Sequence, residues 1–457
     1  MWDEKAISLI QKYDVMGPRY TSYPTVPQWN DTITSDDFDR LFSKRDGYKT
    51  FALYTHIPFC EERCHFCACN VVITKQRENA ESYLNYINKE LLLYSPLLPK
   101  CWVTQIHWGG GTPTYLNEVQ MENLFLEYQK YFSIDANAEI SIEIDPRVTT
   151  VNQLKTLRRL GFNRISMGVQ DFDEKVQSAI HRNQTEWQTQ KIYEACRELS
   201  FRSVNMDFVY GLPFQTLESF EKNLKIIMAL KPDRVAMYNY AHVPWMVPSQ
   251  KYISVEALPS PALKLTFLQS ALRLFETSGY LPVGMDHFAR PQDELISALR
   301  TKTLRRNFMG YTTQKDSLLL AHGVSAIGDT GDFMVQNYRR LSDYYHALDE
   351  SKLPLMKGHR LSANDQLRRH IIMELLCNFY FDITEVEKKF SISFFEYFSL
   401  EMTFLLEMQT EGLIDIQDES ISVTSLGKLL IRNICMIFDD YYAAQKKISL
   451  KKYSKTI

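Results

Sequence analysis

Between residues 50 and 285, short runs of β-branched and aromatic residues alternate with segments of helical periodicity. Leu154, Leu157 and Leu160 show the spacing of one helix face. Such alternation is typical of a parallel sheet covered by helices. The repeats are too few for a closed eight-stranded barrel, so we predict an α/β fold with an open, partial (β/α)6-type barrel. The predicted strands are Phe51–His56, Val103–Trp108, Glu139–Glu143, Arg164–Val169, Val204–Val209, Arg234–Tyr240 and Tyr280–Met285.

The barrel region is predicted to span residues 49–358, with a less regular, glycine-marked part after about residue 286. Residues 1–48 contain a short helical pattern followed by Gly17-Pro18 and Tyr23-Pro24, which resist regular structure. We predict an N-terminal arm there. It is either an extended segment over the surface or a lid with Arg19 and two tyrosines as polar contacts.

Residues 359–457 form a predicted small, helical C-terminal domain of winged-helix type. A hairpin is expected around Asp418-Glu419, and a last helix from about Ser425 to Ile437. The segment is not notably basic, so a capping role is favoured over DNA binding. Three helices are predicted before the hairpin: Asp365–Cys377, Ile383–Phe390 and Phe394–Thr410.

Composition limits the partners of the chain. Its 457 residues are 45% hydrophobic and 23% charged, with a net charge of −3, which does not favour nucleic acid or an anionic membrane. No apolar run is long enough to span a bilayer, and the acidic, mixed N-terminus is unlike a signal peptide. We therefore expect a cytoplasmic protein.

Four of the eight cysteines lie within ten residues, directly after the first predicted strand. Cys60, Cys64 and Cys67 are spaced C-x3-C-x2-C, and Cys69 follows. A disulfide framework is disfavoured because the remaining cysteines are scattered, and a structural zinc site normally requires a second, separated pair. Thiolates are the soft ligands that iron–sulfur clusters require. An iron–sulfur cluster is the favoured interpretation, with a structural metal or a redox thiol loop as the alternatives.

This spacing, with an aromatic residue before the third cysteine, resembles the radical S-adenosylmethionine superfamily. The flanking residues Tyr54-x-His56-Ile57-Pro58-Phe59-Cys60 and Cys69-Asn70 resemble the oxygen-independent coproporphyrinogen III oxidases of haem biosynthesis. The resemblance implies a [4Fe–4S] cluster on Cys60, Cys64 and Cys67, with S-adenosylmethionine beside it. It also implies the same partial barrel. Cys69 is either a group that handles substrate or radical, or a plain buried thiol.

The resemblance assigns cofactor contacts near the ends of the predicted strands, where a barrel of this kind places its chemistry. Three glycines in His107-Trp108-Gly109-Gly110-Gly111-Thr112-Pro113 are more than a tight turn needs. Without the resemblance, Arg182 is more often a surface charge, and Asp145 and Arg147 are compatible with turn and surface residues. Glu143 at a strand end either accepts from a ribose hydroxyl or an ammonium group, or is a solvated strand end. The implied contacts to S-adenosylmethionine are Tyr54, Phe66, Gly110, Gly111, Thr112, Glu143, Gln170, Arg182, Asp207 and Ala241.

Later stretches also resemble this family and imply a second S-adenosylmethionine, contacted by Phe308 and Ile327. Met309 and His322 differ from the family's usual residues, which are glutamine and a small or apolar residue. The implied reaction converts two propionates of coproporphyrinogen III to vinyl groups by 5′-deoxyadenosyl radical chemistry, giving protoporphyrinogen IX.

The implied partners are a tetrapyrrole substrate and a reducing protein of flavodoxin or ferredoxin type, and we expect a monomer. A substrate with four carboxylates favours arginine contacts. Arg19, Arg290, Arg305 and Arg306 are the candidates. The alternatives on the same scaffold are a non-catalytic haem carrier and a radical enzyme that modifies haem.

Overall fold

A computed structural model describes residues 3–44, 50–97, 101–314, 318–445 and 453–456. The predicted boundary between residues 48 and 49 lies outside these ranges. The chain divides into two compact units. We call Asn30–Gly279 with Asp316–His359 the sheet unit, and Met1–Trp29, Tyr280–Lys315 and Arg360–Ile457 the composite unit. The three-part division drawn from the sequence stays a prediction.

The described residues form nineteen strands. They are β1 (Thr50–Ile57), β2 (Phe59–Cys60), β3 (Val72–Ile73), β4 (Trp102–Gly110), β5 (Ser133–Ile144), β6 (Arg164–Gln170), β7 (Ser203–Tyr210), β8 (Arg234–Asn239), β9 (Leu281–Gly284), β10 (His287–Ala289), β11 (Arg305–Asn307), β12 (Gly310–Thr312), β13 (Leu318–His322), β14 (Ile327–Asp329), β15 (Phe333–Asn337), β16 (Leu355–Arg360), β17 (Tyr380–Asp382), β18 (Ile414–Gln417) and β19 (Ser420–Val423).

The same ranges contain seventeen α-helices. They are α1 (Glu4–Tyr13), α2 (Ser35–Lys44), α3 (Glu78–Tyr94), α4 (Glu118–Tyr131), α5 (Val151–Arg159), α6 (Glu174–Ala179), α7 (Glu186–Glu198), α8 (Leu217–Leu230), α9 (Pro261–Thr277), α10 (Glu294–Arg300), α11 (Leu341–Asp349), α12 (Ala363–Asn378), α13 (Ile383–Phe390), α14 (Phe394–Tyr397), α15 (Ser399–Thr410), α16 (Ile431–Ile437) and α17 (Asp440–Gln445). No helix of the described residues is long and apolar enough to cross a membrane.

The sheet unit is built on strands in the order β16-β15-β14-β13-β1-β4-β5-β6-β7-β8. From β13 to β8 all neighbouring strands are parallel, and β14 is antiparallel to both β13 and β15. Helices α4, α5, α7 and α8 each begin with a capping box, which satisfies backbone N–H groups at the helix start. Phe51, Ile106, Ile142, Val204 and Val235 are fully buried in the sheet.

Six predicted strands are confirmed as the parallel strands β1 and β4–β8, but the seventh was assigned wrongly to that set. Residues 281–284 form β9, which pairs antiparallel with β10 in the composite unit. The chain reverses at Met285, whose φ of 38° suits a tight turn. The further parallel partner of β1 is β13, from the region predicted to be less regular. All five residues of β13 are buried, so the strand lacks the alternation that marks a half-buried strand.

The composite unit contains the predicted C-terminal helices and hairpin. Strands β18 and β19 pair antiparallel as expected, and the unpredicted β17 adds to β19. The helix predicted over residues 394–410 is interrupted at the fully buried Phe398, giving α14 and α15. The predicted last helix begins as a 3-10 turn over Gly427–Leu430, continues as α16, and is followed by α17.

The N-terminal segment contributes to the core of the composite unit. After α1, Tyr20 and Tyr23 are 1% and 0% exposed and pack with the C-terminal helices. Tyr20 donates a hydrogen bond to Asp439, and the Asp440 N–H donates to the Tyr23 hydroxyl. The two tyrosines are therefore packing residues, in contrast to the exposed polar contacts considered from the sequence.

Candidate active site

The cysteine loop leaves the end of β1 and closes on itself at its base. Strand β2 pairs with β3, and the Thr74 N–H donates to the Cys60 carbonyl at 3.0 Å. The His65 N–H donates to the Ile180 carbonyl at 2.9 Å, which attaches the loop to the end of α6. The three cysteines of the motif thus come from one closed loop at the carboxyl edge of the parallel strands.

Positively charged groups lie beside two of the three motif cysteines. Cys64 is buried, and guanidinium nitrogens of Arg147 and Arg182 each lie 3.8 Å from its sulfur. A hydrogen bond from the Cys69 thiol lowers the pKa of Cys67, and the positive charges of Arg63 and Arg182 act in the same direction. Thiolates are the form that binds metal.

Cys60 differs, because burial raises the pKa of its thiol to about 11. Its sulfur lies 3.3 Å from the Thr112 hydroxyl, which places the predicted glycine motif directly beside the loop. Metal binding at this position displaces the thiol proton. The structure therefore brings Cys60, Cys64, Cys67 and Thr112 together.

Three soft thiolates on one loop suit the [4Fe–4S] cluster that the resemblance implies. Across the described ranges, no three His, Cys, Asp or Glu side chains converge closely enough to hold one metal ion. A [4Fe–4S] cube held by three cysteines does not need that convergence, since each thiolate binds a different iron. The neighbouring guanidinium groups offset the negative charge that three thiolates would bring.

Glycines at the end of β4 allow this strand to lie against the base of the cysteine loop. Gly110 has a φ of 117°, and a Cβ there would lie 2.7 Å from the His56 ring. A Cβ on Gly111 would lie 2.7 Å from the Pro58 carbonyl. The Gly111 N–H donates to the Ile57 carbonyl at 2.8 Å. These contacts explain the glycines by packing, and their contact with S-adenosylmethionine stays a prediction.

Glu143 lies at the end of β5 and faces β4. Its carboxylate accepts the Gly110 N–H at 2.9 Å and lies 3.5 Å from His107 Nε2. Burial raises its pKa, but the bonds from His107 and Gly110 outweigh burial, so the pKa is lowered overall. The side chain is 45% exposed, which leaves carboxylate surface available to a ligand.

Asp145, Arg147 and Arg182 form a buried ion cluster against Cys64. Asp145 accepts hydrogen bonds from Arg147 at 2.7 Å and Arg182 at 3.1 Å, and Arg182 also donates to the Gly168 carbonyl at 2.8 Å. Asp145 and Arg147 do belong to a turn, but their charges are paired rather than solvated, and the surface alternative for Arg182 was wrong because it is 7% exposed. The Nε of Arg182 is buried without a hydrogen-bond partner in the described chain, so the cluster retains capacity for one more acceptor.

The remaining predicted cofactor residues of the sheet unit lie on β6, β7 and the segment after β8. Gln170 has a φ of 69°, an uncommon conformation for a non-glycine residue that often marks a functional position. Asp207 accepts from Asn205 at 2.8 Å and from Ser166 at 3.2 Å, and burial with the nearby Glu143 charge raises its pKa to about 6.

Gln250 connects two predicted contact residues that are distant in sequence. Its amide nitrogen donates to the carbonyls of Phe66 and Ala241, at 3.2 and 3.1 Å. The Phe66 side chain packs on a small apolar cluster that includes Ile180 and Ile253. Sequence reasoning missed Gln250, since a single glutamine in an irregular segment gives no pattern.

Tyr54 and His56 link the end of β1 to the residue after Cys69. His56 Nε2 lies 2.9 Å from the Asn70 carbonyl, so this nitrogen carries the proton, and Nδ1 accepts from the Tyr54 hydroxyl at 3.1 Å. Burial lowers the pKa of His56, which keeps the ring neutral. The Tyr54 ring also stacks on His107, with centroids 5.9 Å apart.

Replacing Tyr54 by phenylalanine is expected to lower the free energy of unfolding by about 1 kcal/mol, because Nδ1 of His56 loses its donor. Urea unfolding followed by circular dichroism measures the change. The matched control is Tyr252→Phe, since Tyr252 is 76% exposed and its hydroxyl can bond to water. Equal stability of wild type and Tyr54→Phe would contradict this role of the hydroxyl.

A second support of the site, missed from the sequence, comes from α3. The Tyr83 hydroxyl donates to the His56 carbonyl at 2.7 Å and accepts the Val324 N–H at 3.0 Å. Two helical turns further on, Glu90 accepts the Gly323 N–H at 2.8 Å. This helix face therefore joins the end of β1 to the turn that precedes Ile327.

The two predicted contacts to a second cofactor lie in different units. Ile327 begins β14 in the sheet unit, whereas Phe308 is 36% exposed at the tip of the β11–β12 hairpin in the composite unit. His322, where the family usually has a small or apolar residue, is fully buried, and its ring meets Tyr94 edge to face.

Comparison with known proteins agrees with this architecture. Residues 54–227 match the radical SAM superfamily, and residues 361–430 match the HemN C-terminal domain. The chain is 44% identical over 456 residues to the oxygen-independent coproporphyrinogen III oxidase of Escherichia coli K12, covering 100% of this chain and 98% of that protein. The protein of the same name from Pseudomonas aeruginosa is 42% identical over 462 residues, covering 100% and 99%.

A solved structure of coproporphyrinogen III oxidase from E. coli, described as a radical SAM enzyme, superposes with a TM-score of 0.92 at 43% identity, covering 96% of this chain and 99% of that one. The predicted fold class is therefore confirmed. Fold and site define a radical SAM oxidoreductase, a class that uses a [4Fe–4S] cluster and S-adenosylmethionine. The chain belongs to the family of the oxygen-independent coproporphyrinogen III oxidases.

Proposed function

We propose that this protein decarboxylates two propionate side chains of coproporphyrinogen III to vinyl groups without oxygen, giving protoporphyrinogen IX for haem biosynthesis. The observation that carries the proposal is the full-length identity of 44% to a relative of that name. The closed cysteine loop with its Cys69-Asn70 continuation supports it. Membership of an enzyme family disfavours a haem carrier.

Cys60, Cys64 and Cys67 would hold the cluster on the loop after β1. When bound, the cluster and S-adenosylmethionine supply the hydrogen-abstracting 5′-deoxyadenosyl radical. The protein's own side chains would bind and orient S-adenosylmethionine. Arg182, with its free buried Nε, suits a carboxylate, and Glu143, with its exposed carboxylate surface, suits an ammonium or hydroxyl group.

The remaining contacts to S-adenosylmethionine are proposed from the family resemblance, and the positions of Gly110, Gln170 and Ala241 at or just after strand ends support it. We assign them to Tyr54, Phe66, Gly110, Gly111, Thr112, Gln170, Asp207 and Ala241. Phe308 and Ile327 are proposed to contact a second S-adenosylmethionine.

The proposed partners follow from the same chemistry. The cluster needs a one-electron reductant, for which a protein of flavodoxin or ferredoxin type is proposed, and the enzyme is proposed to act as a monomer without nucleic acid or membrane. No disulfide joins any of the eight cysteines, all of which lie in the described ranges, and this agrees with a reducing, cytoplasmic location.

The test uses anaerobically reconstituted, dithionite-reduced protein with S-adenosylmethionine and coproporphyrinogen III. About two molecules of 5′-deoxyadenosine are expected for each protoporphyrinogen formed, since two propionates react. Chromatography measures both products. Cleavage of S-adenosylmethionine without decarboxylation would indicate that the substrate is another tetrapyrrole. No cleavage by protein with an intact cluster would refute the proposed activity.

A further inference from the structure

The composite unit holds the four arginines that the sequence offered as carboxylate contacts, and the structure distinguishes among them. Arg305 forms an ion pair with Glu374 at 3.2 Å, and Arg19 forms one with Asp286 at 3.2 Å. Each of these charges already has an acidic partner. Arg290 is half-buried at the end of the β9–β10 hairpin.

Arg306, on β11, has no acidic partner in the described part of the chain. One terminal nitrogen lies 3.4 Å from the Met285 sulfur, which is only a weak acceptor. The guanidinium lies over the Tyr311 ring, 5.1 Å from its centroid. Its Nε is buried and has no hydrogen-bond partner there. The guanidinium of Arg306 therefore keeps hydrogen-bond donors that the described chain does not use.

The charges around Arg306 are unbalanced. Arg432 is buried and donates to the backbone carbonyls of Gly17 and Pro18, which are neutral acceptors. Burial lowers the pKa of Arg432 to about 10, and the charges of Arg19 and Arg306 contribute. The Asp286 carboxylate raises this pKa, but it already pairs with Arg19. Partly buried positive charge in excess of its counter-ions is costly, so this place favours an anion.

We propose that Arg306 binds a carboxylate of the ligand. The inference rests on the proposed function, whose substrate carries four propionates. A guanidinium edge matches a carboxylate with two parallel hydrogen bonds. Arg306 is thereby a substrate-binding residue.

The experiment measures binding of coproporphyrin III, the stable oxidised form of the substrate, to the full-length protein by fluorescence quenching. Arg306→Ala is expected to weaken binding about 10- to 100-fold, the range for a charged hydrogen-bonded pair. Arg306→Lys keeps the charge without the fork, so an intermediate loss is expected. The control is Arg300→Ala, because Arg300 is exposed in the same unit and should bind as wild type does.

The outcomes separate this inference from the function on which it rests. Binding by Arg306→Ala equal to wild type would overturn the role of Arg306 alone. Equal weakening in Arg300→Ala would also overturn it, since a diffuse charge effect would then explain the loss. If wild type does not bind coproporphyrin III, this site is overturned, whereas product formation from coproporphyrinogen III tests the proposed substrate separately. If Arg306→Ala does not fold, coproporphyrin III binding by Arg306→Lys is compared with that of wild type, and equal binding would overturn the role of the guanidinium.

Discussion

Replacing Cys64 by serine is expected to reduce the iron bound after anaerobic reconstitution to near zero and to lower 5′-deoxyadenosine formation by at least about 1000-fold. Cys64 is the most buried of the three motif cysteines, and its sulfur faces the guanidinium groups of Arg147 and Arg182. A serine oxygen is a harder ligand with a much higher pKa, so it does not replace a thiolate on iron. Iron content, the visible absorption of the cluster and product formation measure the change.

The matched control is Cys101→Ser, because Cys101 is a half-buried thiol outside the loop. It should retain iron and activity. Retention of a full cluster in Cys64→Ser would show that Cys64 is not a ligand. If iron is retained but cofactor cleavage is lost, the defect would lie in cofactor orientation rather than cluster assembly.

Local sequence patterns were sufficient for six parallel strands of the sheet and for the position of the loop. β-Prone runs and helical spacing located β1 and β4–β8, and cysteine spacing located the loop at the end of β1. These features depend on residues close together in sequence. Strand β13 was missed because a fully buried strand has no alternation, and β9 was misassigned because strand direction depends on the turn that follows.

The site residues that the sequence did not indicate are those whose partners are distant along the chain. Asp145 begins a turn, as its sequence suggests, but its ion pair with Arg182, 37 positions away, has no local signal. Gln250 meets Phe66 across 184 positions. A single polar residue carries no periodic signal, so such contacts emerge only from the fold. The contacts to bound cofactors stay predictions for the same reason.

Glu90 lies outside the proposed chemistry, but its carboxyl group holds the turn that packs against the end of β1. Glu90 is fully buried on α3 and accepts from the Gly323 N–H, the Asn337 amide and the Tyr344 hydroxyl, at 2.8, 2.8 and 2.5 Å. All three partners can donate, so they suit an ionised carboxylate. Gly323 has a φ of 97°, and a Cβ there would lie 2.7 Å from the His56 carbonyl. The turn is therefore closely packed against the end of β1.

Burial nevertheless raises the pKa of Glu90 from 4.5 to about 7, since the three hydrogen bonds offset only part of the desolvation. Between these two values the folded protein holds a proton that the unfolded chain has released. The resulting stability is fully present below about pH 4.5 and is lost as pH rises to about 7. The 2.5 pH units between the two values correspond to about 3 kcal/mol.

Glu90→Ala is expected to lower the free energy of unfolding by about 3–5 kcal/mol, because three buried donors lose their acceptor and a cavity remains. Glu90→Gln keeps one acceptor oxygen and the side-chain volume, so a smaller loss is expected. Glutamine does not ionise, so this variant does not share the loss of stability that wild type shows as the pH rises. Its stability relative to wild type should therefore be higher at pH 8 than at pH 5. Urea unfolding at both pH values measures the two effects, with exposed Glu81→Ala on the same helix as the control. If wild type and Glu90→Gln show the same pH dependence, another group is responsible for the titration. If Glu90→Ala loses no more unfolding free energy than Glu81→Ala, the turn at Gly323 does not need this carboxylate.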